Sequence, residues 1–234
     1  MRVSVVVPAY QEEKGIEAFL RQFERQTLPR AEFELIVVDG GSRDGTREIA
    51  ARLADRVVLQ TSTGIGGARN DGVRVGQADL IATTDADCRV PPDWLERIVA
   101  DFDDPAVVAV CGPDGPFDGG LKARALYFFV RGIIRLAALA GIYGTGGTNS
   151  AFRKSAFLAV GGYRSMAHSD DIDMGVRIRR EGRVVFDPRL DVGLSVRRLE
   201  KDGYLQTFLL WLQGDLKVLA GKPVEPKEYA RQEY

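Results

Sequence analysis

A chain of 234 residues with 45% hydrophobic and 28% charged side chains is long enough to bury one sizeable core and has the composition of a globular protein. Its formal net charge of -1 gives no sign of a nucleic-acid partner, and two cysteines in apolar surroundings, Cys88 and Cys111, exclude a disulfide framework and read as buried thiols of a reducing cytosol. Neither a secretory leader nor a membrane-spanning helix is expected: the apolar run 3–7 stops at Pro8, and the longest uncharged stretch, 136–152, is broken by Gly141, Gly144, Gly146 and Gly147.

Residues 3–7, 35–38, 56–59 and 79–83 are short, largely β-branched runs that read as strands. Between them, 13–26 carries Ile16, Phe19, Leu20 and Phe23 at helical spacing, and 44–54 carries Ile49, Ala50 and Leu53 with Asp44 near the helix start. This β-α-β-α order predicts an α/β fold with a mostly parallel sheet, right-handed crossovers and a ligand site outside the carboxyl ends of the strands. Further on, 120–141 predicts a long helix with Arg124, Arg131 and Arg135 on one stripe. A last helix, 203–220, has Leu205, Phe208, Leu209, Leu212, Leu216 and Leu219 on one face and Tyr204, Trp211 and Val218 off it.

The residues that follow the strands carry the chemistry. Pro-Ala-Tyr-Gln-Glu (8–12) follows the first, Asp39 and two glycines follow the second, and Asp85-Ala-Asp87 follows the fourth. Carboxylates at i and i+2 of an extended segment point the same way and can share one hard cation, magnesium or manganese, together with diphosphate oxygens. Between Asp118 and Asp170 there is no acidic residue but seven basic ones, including Lys122, Arg124, Arg131 and Arg135, a local excess that favours an anionic partner such as phosphate or an anionic membrane face.

The segments VVVPAYQEE (5–13), IVVDGGSRDGT (36–46), GARNDG (67–72), TTDADCRVPPDW (83–94), GTGGTNSAFRKSAF (144–157) and DDIDMGVRIRREG (170–182) resemble, in order, the motifs of family 2 glycosyltransferases with a GT-A fold. The resemblance spans about residues 3–200. It implies a Rossmann-like, mostly parallel sheet flanked by helices. The nucleotide-binding half would run to about residue 110 and the acceptor half over about 111–200, followed by an amphipathic segment, 201–234. It further implies that Pro8, Tyr10 and Glu12 line the base and ribose pocket and that Asp39 accepts from base or ribose. Arg69 would lie beside the nucleotide, and Asp85 with Asp87 would bind ribose and a divalent metal. Asp171, paired with Asp170, would be the base of an inverting, metal-dependent transfer from a GDP- or UDP-sugar. A histidine that several relatives carry after the strand near residue 186 is replaced here by Ser195, leaving Arg197 and Arg198 as candidates to neutralise the diphosphate.

Thr148, Asn149 and Ser150 are expected to hydrogen-bond the acceptor. The two amphipathic helices, with Trp211, resemble those of enzymes that act on polyprenyl phosphates at the inner face of the cell membrane. The expected acceptor is therefore a lipid-linked one, and the chain is either the catalytic part of a longer membrane enzyme or a peripheral protein. Competing readings are helices that merely pack on the sheet, a sugar-1-phosphate nucleotidyltransferase, and a non-catalytic nucleotide-binding module. Against the second, PAYQEE lacks the glycine-rich, basic signature that such an enzyme would need after its first strand.

Overall fold

The computed structural model describes residues 1–222 and 224. Its central sheet begins with the predicted units: β1 (Val3–Ala9), α1 (Ile16–Leu20), β2 (Phe33–Asp39), α2 (Thr46–Leu53), β3 (Arg56–Leu59), α3 (Gly64–Val75) and β4 (Leu80–Thr83). After a short strand, β5 (Cys88–Arg89), come α4 (Trp94–Asp101), β6 (Val107–Cys111), β7 (Asp114–Pro116) and α5 (Leu121–Leu139). Then follow β8 (Ser150–Arg153), α6 (Lys154–Ala159), α7 (Asp170–Ile178), β9 (Arg183–Phe186), β10 (Val192–Leu194), α8 (Arg197–Asp202) and α9 (Tyr204–Leu219).

Seven strands pair in the order β3-β2-β1-β4-β8-β6-β9; β8 alone runs antiparallel to both neighbours, and the other pairings are parallel. The expected division near residue 110 falls inside β6, so both halves contribute to one sheet. A second sheet, β5-β10-β7, lies beyond the carboxyl ends and presents the later loops to the site.

Strand periodicity explains the layering. Val3, Val5 and Val7 of β1 and Phe33, Leu35 and Val37 of β2 join one core, whereas Val6, Ile36 and Val38 join the other. Both faces are covered by helices, which is why these strands are apolar almost without interruption. Cys88 and Cys111 are buried, unpaired thiols, as expected.

Two helices depart from expectation. The apolar spacing over 13–26 gives an α-helix only at Ile16–Leu20; Arg21–Arg25 tightens into a 3-10 turn. Gln22 and Gln26 account for this, because their amides bond the backbone at Cys88, Val90, Pro91 and Leu95, tying the segment to β5 and α4. In α9 the leucine face turns outward: Leu205, Leu209 and Leu216 are 70%, 53% and 58% exposed. The packed side is instead Thr207, Gly214 and the half-buried Asp215, set against α7. Helix α5 likewise docks through Ala123 and Tyr127 and leaves Phe128, Phe129, Ile133 and Leu136 exposed. The helices therefore do not bury their apolar faces on the sheet. Arg131 leaves the basic stripe to bond Asp114 O through Nε at 2.6 Å and to pair with Asp191. No described helix is long and apolar enough to cross a membrane.

Candidate active site

Strand β1 delivers the first group of residues. Beyond it the chain turns sharply at Gln11, whose φ of 54° lies in the left-handed region, and the turn is held by Gln11 N donating to Ser42 Oγ and Glu12 N to Thr46 Oγ1. Tyr10 is half-buried with its ring against Gly40, where an added Cβ would meet Tyr10 Cδ2 at 3.3 Å, and Pro8 is half-buried at the end of the strand. Asp39 requires correction. It is fully buried, and its carboxylate accepts from the backbone of Gly41 and Ser42, both at 3.0 Å, so it braces the turn rather than offering a free oxygen to a base or ribose.

Glu12 also departs from its expected place in the base pocket. Its carboxylate pairs with Arg197 Nη2, and the same nitrogen lies 3.3 Å from Asp87 Oδ2. Burial raises the pKa of Glu12, the Arg197 contacts oppose that rise, and the charges of Asp87 and Asp85 reinforce it. Three carboxylates therefore converge on one guanidinium. Arg197 is committed to this cluster; the side chain of Arg198 lies outside the described residues.

Arg69 is the second correction. Its guanidinium is buried, donates from Nη2 to Asp85 Oδ1 at 2.7 Å, and stacks over Tyr163 at 5.6 Å. Gly147 closes over it, because any Cβ there would overlap the guanidinium. Arg69 thus supports the ligand site through Asp85 instead of facing a nucleotide. It also attracts Asp170, so one buried cation links the Asp85-Ala-Asp87 turn to the start of α7.

Asp170 and Asp171 open α7. Burial raises both; Asp171 is pushed up to about 7, with the carboxylates of Asp170 and Asp215 adding to the effect. Asp173, in the same turn, is structural, held by Arg177 at 2.7 Å and Arg164 at 3.1 Å. The loop before β8 meets Asp171 directly: Thr145 N and Oγ1 both donate to Asp171 O, and an added Cβ on Gly144 would lie 3.5 Å from Asp171 Oδ2.

The expected acceptor residues divide. Thr148 is half-buried and donates to Asp114 Oδ2 at 3.1 Å. Asn149 is a correction: its Nδ2 donates to the carbonyls of Pro113 and Leu190, its Oδ1 accepts from Trp94 Nε1, and it is 2% exposed, so no group remains for an acceptor. Ser150 is likewise 2% exposed within β8 and out of reach. Trp211 sits on the outward side of α9, 37% exposed and apart from the carboxylate cluster. Ser195, where a histidine was expected, donates to Asp118 Oδ2 at 2.7 Å and closes the β10 turn.

Sequence reasoning missed Asp114, Asp118 and Asp215. The one available signal was Asp215 itself, a lone carboxylate within an otherwise apolar helix. Among the described residues no group of three His, Cys, Asp or Glu is arranged to hold a metal ion. Asp85 and Asp87 nevertheless offer hard oxygens on side chains 20% and 32% exposed, which suits an ion completed by diphosphate and water, as magnesium usually is.

Solved structures of the same build are GT-A glycosyltransferases, and the fold places this chain in that class. It resembles a mannosyltransferase from Pyrobaculum calidifontis in complex with GDP-Man and Mn2+ (TM-score 0.69, 28% identity, 83% of this chain and 57% of that one). It also shares the fold of glucosyl-3-phosphoglycerate synthase from Mycobacterium tuberculosis (TM-score 0.65, 19% identity, 95% and 81% covered). The chain belongs to glycosyl transferase family 2, whose model matches residues 4–161. Among curated relatives, it is 34% identical over 116 residues to glycosyltransferase AglE of Haloferax volcanii, covering 47% of this chain and 38% of that protein. It is 38% identical over 106 residues to an undecaprenyl-phosphate 4-deoxy-4-formamido-L-arabinose transferase of Pseudomonas paraeruginosa, covering 42% and 31%. The chain thus spans well under half the length of these relatives.

Proposed function

We propose that this domain transfers a sugar, with inversion, from a GDP- or UDP-sugar to a lipid-linked acceptor at a membrane surface. The observation that carries the reading is the meeting of Glu12, Asp85 and Asp87 with Arg197 and Arg69 at one sheet edge, with the acidic start of α7 joined to it through Arg69. Asp85 and Asp87 would hold magnesium or manganese, which supplies neutralisation of the charge developing on the leaving diphosphate. Asp171 has no cation against it and a pKa near neutrality, which suits a base that takes the proton of an attacking hydroxyl. A polyprenyl phosphate acceptor is already ionised and would not need that step.

Two lines support the lipid. The outward faces of α5 and α9 expose Phe128, Phe129, Leu136, Leu205, Leu209 and Leu216 beside the exposed Lys122, Arg124 and Arg135, the pattern of helices that rest in an anionic interface. One curated relative carries undecaprenyl phosphate in its name. The donor is tested by nucleoside diphosphate release from a panel of GDP- and UDP-sugars with manganese or magnesium, supplied with polyprenyl phosphate and with glycolipid acceptors. Turnover by the parent chain and its loss in Asp87→Ala are expected; no turnover of any donor, or an unaffected Asp87→Ala, refutes the reading.

A further inference from the structure

Ser169, which precedes the acidic start of α7, is buried in a conformation that serine seldom adopts, with φ 63° and ψ 21°. Something must hold it there, and the strain is local to the carboxylates that matter, because Ser169 O accepts from Asp173 N to begin the helix. The holding contacts come from α9. Gly214 brings that helix to backbone contact: a Cβ on it would overlap the ring of His168 and the Ser169 hydroxyl. The next residue, Asp215, is half-buried, accepts a hydrogen bond from the Ser169 hydroxyl and faces His168. His168 Nδ1 lies 3.2 Å from the same Ser169 Oγ. A carboxylate on a helix that is otherwise apolar is therefore directed at the one turn that aims Asp170 and Asp171.

We infer that Asp215 is a positioning residue: by gripping the Ser169 hydroxyl it keeps the left-handed turn that orients the Asp171 carboxylate toward the acceptor. The inference rests on the reading of Asp171 as the base. It ties the catalytic carboxylate to α9, the helix whose opposite face is free to meet a lipid surface, so the seating of α9 and the geometry of the base vary together.

The test compares Asp215→Ala, Asp215→Asn and Asp171→Asn in the whole chain, with manganese and whichever GDP- or UDP-sugar and hydroxyl-bearing glycolipid the parent turns over. Asp215→Ala should lower kcat about tenfold to a hundredfold and leave the donor KM within twofold, since the donor cluster lies on the other side of Arg69. Asp215→Asn, which keeps an oxygen for Ser169, should recover most of kcat. Ser169→Gly added to Asp215→Ala should recover part of it, because glycine takes positive φ unaided. Should Asp215→Ala be unstable, the glycine double variant and Asp215→Asn still decide the matter. Equal losses in Asp215→Ala and Asp215→Asn, or a donor KM that rises with the fall in kcat, would reduce Asp215 to ordinary packing. An unchanged Asp215→Ala beside a crippled Asp171→Asn would overturn the positioning role and leave the base. An unchanged Asp171→Asn would overturn both.

Discussion

Replacing Asp171 with asparagine separates what its carboxylate does for the reaction from what its charge costs the fold. On a hydroxyl-bearing acceptor, loss of a positioned base lowers turnover by about 10²–10⁴-fold. The stability effect has the opposite sign. In the folded chain Asp171 keeps its proton up to about pH 7, whereas an exposed aspartate releases it near 3.8. Below 3.8 both states hold the proton. Between 3.8 and about 7 only the folded state does, so folding loses stability as pH rises, and above about 7 the full cost is present. At about 1.4 kcal/mol per pH unit the span amounts to ~4 kcal/mol, and water around a half-buried group screens this to roughly 2 kcal/mol. Asparagine carries no charge and escapes the cost. For a domain of this size about 2 kcal/mol is ~4–8 °C in Tm. The variant-minus-parent difference in Tm should therefore grow by about that much from pH 4 to pH 8, and other titrations cancel in the difference. Scanning calorimetry at the two pH values, beside initial rates on the same preparations, gives both numbers. A difference in Tm that is flat with pH refutes the burial argument, and full turnover on a hydroxyl acceptor refutes the base.

The other expectations concern support and surface. Arg69→Met strips the buried partner from Asp85 and should cost about 3 kcal/mol in a urea titration, with Arg69→Lys intermediate because ammonium cannot reproduce the planar fork. Asn149→Ala leaves Trp94 Nε1 and two carbonyls without partners and should cost about 2 kcal/mol or more, while the acceptor KM of the folded fraction stays unchanged. Leu209→Gln with Leu216→Gln should change stability by no more than about 0.5 kcal/mol, both residues being exposed, yet reduce sedimentation with vesicles of anionic phospholipid. Equal sedimentation of parent and variant would count against the lipid surface.

The core of the fold was legible because alternation along β1 and β2 states which residues share a face, and uninterrupted apolar strands state that both faces are covered. The order of the first four strands, and the loops at their carboxyl ends as the place for chemistry, followed from pattern and topology rules alone. The amino-acid sequence by itself also determined that α9 has an apolar face, but periodicity says nothing of what that face meets. Tertiary packing turned the leucines outward and seated Gly214 and Asp215 on α7, because only a residue without a side chain lets the helix reach Ser169. Partnerships were decided in the same way. Glu12 and Arg197 lie 185 positions apart, and no spacing rule connects them. Asn149 and Asp39 read as ligand contacts because polar residues at strand ends often are. Each instead satisfies buried backbone groups or an indole nitrogen, a demand that arises only once strands and loops have closed around them.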